Sequence, residues 1–160
     1  MNFADLIKER NIDLTLSADS KFESILSMVE LSSHCQKIDD SGYIAQRILH
    51  YEVMASSFNG SCGVVFHSLS DRMSAPKLFF GRFIRGNGHS SKVSCSIDLI
   101  FLLTASSKFE NELENTLKKL DRLIQQQPLR KLLQSSKSPE EILELLVMHL
   151  DREKGAADVE

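Results

Sequence analysis

Among five histidines, His67 has the surroundings best suited to chemistry. It sits in "GVVFHSLS", residues 63–70, where three apolar residues run into the imidazole and small or polar residues follow. An imidazole at the open end of a strand can act as a nucleophile or carry a proton near neutral pH. The same local pattern fits a histidine that merely closes a core element, and the octapeptide alone leaves both readings open. A second candidate is "RGNGHSSK", residues 85–92, where Arg85, His89 and Lys92 cluster. It lacks the G-x-x-x-x-G-K-[ST] spacing that cradles nucleotide phosphates. The cysteines Cys35, Cys62 and Cys95 form no C-x-x-C pair and have no histidines at ligand spacing. Neither a structural zinc nor a disulfide framework is expected, no cofactor is implied, and a reducing cytoplasm is the natural compartment.

Elements must hold His67 in place, and the apolar periodicity supplies them. Ile12, Leu14 and Leu16 alternate with polar residues as in a short strand. "SKFE", Ser20–Glu23, has the S-x-x-E form of a capping box, followed by Ile25, Met28 and Val29 at helical spacing. A second helix is expected after Asp40, burying Tyr43, Ile44 and Ile48, and "ASSFNGSCG", residues 55–63, has loop composition. Strand-like runs follow at Gly63–Phe66, Leu78–Ile84 and Ile97–Leu103, the last apolar enough to be covered on both faces. Phe109, Leu113, Leu117, Leu120 and Ile124 form one helical stripe. Pro128 opens a short helix, and "SPEE" at Ser138–Glu141 signals another, with Ile142, Leu145 and Leu146 on its buried face.

With 160 residues, 42% of them hydrophobic, and a net charge of −3, the chain reads as one globular domain over residues 1–150. A tail, residues 151–160, is expected to lack order. The charge gives no reason to expect nucleic acid as a partner. The N-terminus has no secretory pattern, and the apolar run Leu99–Leu103 is too short to insert in a membrane. The expected fold is α/β (α+β): a single-domain sandwich with a mixed sheet of about five strands and helices on both faces. His67 then falls just past a strand, near the crevice where open sheets collect ligands.

The order of these segments over Ile12–Leu146 resembles the enzyme IIA domain of the phosphotransferase system, in the mannitol/fructose type that includes nitrogen-regulatory proteins. "ILHYE", residues 48–52, is similar to a family stretch ending in arginine–glutamate. Fifteen residues after that glutamate the family places its phosphorylated histidine, behind S-T-G-I-G-x-G-I-A-I-P-H; Glu52 plus fifteen is His67. "IDLIFLLTA" resembles the family's central strand, and "NTLKKLDRLI" and "SPEEILELL" its C-terminal helices. The resemblance implies a regulatory phosphocarrier that accepts a phosphoryl group on His67 from an HPr-like carrier and signals to a further target protein. It places Ser56, Ser57, Gly60, Tyr51 and Glu52 around the group.

The site motif departs from the family's. Tyr51 stands where the arginine is expected, Phe58 and Cys62 replace glycines, and Phe66 replaces the proline before the histidine. Fifteen residues after Asp98, the position of the second histidine falls on Leu113, within the apolar stripe. Losing a charged donor and an imidazole costs about 10² to 10⁴ in rate. A binding module that keeps the fold without phosphoryl transfer is therefore the alternative function.

Overall fold

The computed structural model describes residues 3–18, 21–36, 63–69, 75–84 and 98–157. Their elements run α1 (Phe3–Leu6), β1 (Ile12–Leu16), α2 (Lys21–Gln36), β2 (Gly63–Leu69), β3 (Lys77–Phe83) and β4 (Leu99–Ala105). Three helices complete the chain: α3 (Glu110–Ile124), α4 (Gln127–Ser135) and α5 (Pro139–Ala157). The helix expected after Asp40, the capping serine Ser20 and the "RGNGHSSK" loop lie outside the described residues.

Among the described residues four strands form one sheet in the order β1-β3-β4-β2, where the sequence suggested about five. β1 is parallel to β3, β3 antiparallel to β4, and β4 parallel to β2. β4 occupies the interior with all of its residues buried, as its unbroken apolar run requires. Phe80 and Phe101 meet in tilted stacking across β3 and β4, with ring centroids 5.0 Å apart.

Alternation along the strands divides the core into two layers. Leu78, Phe80, Leu99, Phe101 and Leu103 face α1 and α3–α5, joining Leu113, Leu120, Ile124, Leu129 and Leu133. Phe66, Phe79, Phe83, Ile100 and Leu102 face the other way, onto Ile25, Met28 and Val29 of α2. Helices thus cover both faces of a mixed sheet, as anticipated.

Local signals explain the helix ends. Pro128 lies in the first turn of α4, where its missing N–H costs nothing. Ahead of α5, the Glu141 amide donates to Ser138 Oγ at 3.3 Å and the Lys137 amide to Glu141 Oε2 at 2.8 Å, a reciprocal cap. The same helix continues to Ala157, so residues 151–157 are helical where the sequence predicted a structureless tail.

Two glycines are set by packing. A Cβ on Gly63 would collide with the Ile124 side chain of α3, and one on Gly81 with Met28 Sδ of α2 and Leu16 Cδ1 of β1. Both let a neighbouring side chain approach the sheet more closely than any larger residue would permit.

Candidate functional site

The apolar run ending at Phe66 does not end the strand. β2 continues to Leu69, and His67 lies inside it, in register with Leu103 of β4. Ser68 pairs next, with Thr104. The position expected just past a strand is therefore the antepenultimate residue of one, held by a complete parallel ladder.

Alternation fixes its face. Val65 and Leu69, two residues either side of His67, pack against the layer that includes α3, so His67 belongs to that face. Its side chain is partly exposed, whereas Phe66 before it and Ser68 after it are buried. The imidazole thus stands at the margin of the core and is not sealed within it.

α3 runs back over this face. It begins past the end of β4, after a 3-10 turn at Ser107–Phe109, and Ile124 at its other end packs on Gly63, the first residue of β2. Its first turns, carrying Leu113, therefore lie toward the end of β2 that carries His67. Leu113 is 2% exposed, a core residue as the stripe predicted, and contributes no polar group. The exposed Ser107 and Lys108 border the same end of the sheet. Tyr51, Glu52, Ser56, Ser57 and Gly60, the residues expected around the phosphoryl group, lie outside the described residues.

Sequence reasoning missed two polar clusters. At the opposite end of β4, Asp98 lies 3.7 Å from Arg130 of α4, whose side chain is only 8% exposed. The separation exceeds hydrogen-bonding length, and Asp98 Oδ1 has no hydrogen-bond partner. Gln134 Nε2 donates to Asp98 Oδ2. Burial pushes the Asp98 carboxyl above its ordinary value, opposed by the Gln134 hydrogen bond and the Arg130 charge. Nearby, Arg82 Nη1 of β3 donates to the carbonyls of Leu133, Gln134 and Ser136 at 3.2, 3.1 and 2.6 Å, closing the C-terminal end of α4. These are structural clamps. The second cluster is a set of buried hydroxyls, Ser68, Thr104 and Ser106, none with a hydrogen-bond partner among the described residues. The only sequence trace of it was polar residues interrupting two apolar strands.

No group of three or more His, Cys, Asp or Glu among the described residues is arranged to hold a metal ion. No described helix is long and apolar enough to cross a membrane.

A mixed sheet between two helical layers, with a histidine near the C-terminal end of a parallel strand, defines a class of α/β domain. Residues 5–148 match the family model "Phosphoenolpyruvate-dependent sugar phosphotransferase system, EIIA 2", and the chain belongs to that family. The Bacillus subtilis (strain 168) PTS system fructose-specific EIIABC component is 24% identical over 149 residues, 93% of this chain and 24% of that protein. The chain thus spans about a quarter of that relative's length. The nitrogen regulatory protein IIA-Ntr of Neisseria meningitidis shares the fold with a TM-score of 0.79 at 19% identity, covering 90% of this chain and 98% of that one. The Escherichia coli enzyme IIA mannitol, in a complex with phosphorylated enzyme IIB mannitol, aligns with a TM-score of 0.71 at 20% identity, covering 88% and 96% respectively.

Proposed function

We propose that this enzyme IIA domain is a regulatory phosphocarrier that accepts a phosphoryl group on His67 from an HPr-like carrier protein. The observation that carries the reading is the position of His67: partly exposed near the C-terminal end of β2, between two buried neighbours, in a chain of this family. A ring so placed is fixed by the ladder yet reachable, which nucleophilic attack on a partner's phosphoryl group requires. The mannitol enzyme IIA solved with its phosphorylated IIB supports a protein as the exchange partner. The likeness to IIA-Ntr supports a regulatory role and a further target protein.

One observation favours the second reading, a binding module without transfer. Leu113 takes a position where the resemblance places an imidazole, and it is fully in the core, so donors around a transferred group are fewer. The two readings separate in one experiment. The protein is incubated with phosphoenolpyruvate, enzyme I and an HPr-like carrier, and an acid-labile adduct is sought. Incorporation lost in His67→Ala supports the phosphocarrier. Absence of incorporation at high carrier concentration overturns it in favour of the binding module.

A further inference from the structure

Between α4 and α5 lies a surface groove of about 320 Å³, lined by Leu132, Leu145 and Met148 and edged by Ser135, Glu141 and Glu144. Leu132 and Met148 are 46% and 45% exposed. A lone exposed leucine needs no explanation, but two large apolar side chains lining one concavity mark a place where something docks. The volume suits one or two inserted side chains.

The groove has a direction. Glu141, Glu144, Leu145 and Met148 recur at intervals of three and four along α5, so they share one face. Seven residues separate the first from the last, about 10 Å along the axis. One wall therefore passes from carboxylate to thioether within two helical turns, with Glu144 and Leu145 midway. Glu141 is partly engaged, since its Oε2 accepts from the Lys137 amide. Glu144 is exposed and forms no ion pair or hydrogen bond among the described residues. Lys131 and Lys137, the nearest free cations in sequence, pair with neither carboxylate, and no described cation lines the groove.

This charge selects the occupant. Two carboxylates beside an apolar floor repel an anionic lipid surface and attract a cation that carries hydrocarbon with it. A small polyamine would leave the floor unfilled. A second copy of this chain, paired face to face, would set acidic rims against each other. Helices dock in such grooves through anchors three, four and seven residues apart, and methionine adapts its shape to them. We propose that the α4–α5 groove docks a basic amphipathic helix of a partner protein. An apolar anchor of that helix seats on Leu132, Leu145 and Met148, and a lysine or arginine one to two turns away meets Glu144 and Glu141. The groove is separate from the imidazole. Its Ser136 accepts through its carbonyl from Arg82, which is the partner of Leu99 at the start of β4, whereas His67 pairs with Leu103 toward the other end. Docking there does not depend on phosphoryl transfer to His67.

The test uses a fluorescent synthetic amphipathic helical peptide, with leucines on one face and arginines one to two turns from them, titrated with the full chain and read by anisotropy. A twin peptide carries glutamate in place of arginine. Wild-type protein and His67→Ala should bind the arginine peptide equally and saturably, and Leu26→Gln, which alters an exposed leucine on α2, should change nothing. Leu132→Gln and Met148→Gln, exposed positions given a good helix former, should each weaken binding by about tenfold or more. Glu144→Lys should weaken the arginine peptide several-fold and strengthen the glutamate twin, a reversal that loss of fold does not produce. Absence of saturable binding to the wild type, binding that survives both glutamine variants, or equal binding of the two peptides would each overturn the assignment. So would sedimentation showing a wild-type dimer that Leu132→Gln dissociates, which would give the groove to a second copy. Loss of phosphoryl transfer in His67→Ala with peptide binding intact would bear on His67 only.

Discussion

His67 and Leu103 are in-register partners on the parallel strands β2 and β4, and both belong to the sheet face covered by α3. Leu113 reaches that face from the first turns of α3 and is buried in the same layer. The register therefore sets a reactive side chain beside a hydrocarbon wall. Restoring an imidazole there has a cost in stability. Leu113→His removes a buried leucine and asks a polar ring to find partners in the core, a loss of about 2–4 kcal/mol. Urea denaturation reads it directly. An unchanged midpoint would mean that the position has room and partners for the ring, contrary to its 2% exposure.

The close approach of α3 to β2 rests on Gly63. Gly63→Ala places a methyl group against Ile124, and overpacking of this kind costs about 1–3 kcal/mol. In an Ile124→Ala background the space is vacated, so the same glycine substitution should become nearly neutral. The double-mutant cycle should give a favourable coupling between the two changes. Strict additivity would show that the collision is not what holds the glycine in place.

Much of this frame was legible beforehand because it depends on apolar spacing. Leu99–Leu103 could only be an interior strand, and Leu113, Leu120 and Ile124 could only be one buried stripe. The C-terminal half of β2 was not legible. His67 and Ser68 interrupt the apolar run, and only the ladder with Leu103 and Thr104, about thirty-six residues away, makes them strand. Arg130 was missed for a related reason. Arginines are rarely buried unless paired, and its partner Asp98 comes from another element. The helix to Ala157 was missed because residues 151–157 carry little apolar signal, and a cooperative helix needs no local core to extend beyond its last buried turn.

The Arg82 guanidinium ties β3 to the end of α4 through three carbonyl acceptors. Arg82→Met keeps much of the stem's apolar contact and removes the charged donors, so the loss should be about 1.5–3 kcal/mol, the range for hydrogen bonds to a charged group. Hydrogen exchange of the amides in α4 should accelerate more than that of β4, since the clamp holds the helix end and not the strand. Equal acceleration in both would indicate that the side chain supports the whole fold.

Asp98 gives a pH dependence with a definite sign. Burial raises its carboxyl pKa above the ordinary 3.8 in spite of Gln134 and Arg130. Between that value and the higher folded one, the native state binds more protons than the unfolded chain, so stability falls as pH rises through the window. Asp98→Asn removes the titration. The difference in unfolding free energy, wild type minus Asp98→Asn, should therefore be largest in acid, decline as pH rises past 4, and level off once Asp98 is fully ionised in the folded state. Arg130 is present in both proteins and sets the absolute level, not the slope: a neutral amide leaves the buried guanidinium without its carboxylate partner. Urea titrations of both proteins at closely spaced pH values measure the difference. A slope of the opposite sign would mean that the attraction of Arg130 outweighs the burial of the carboxylate.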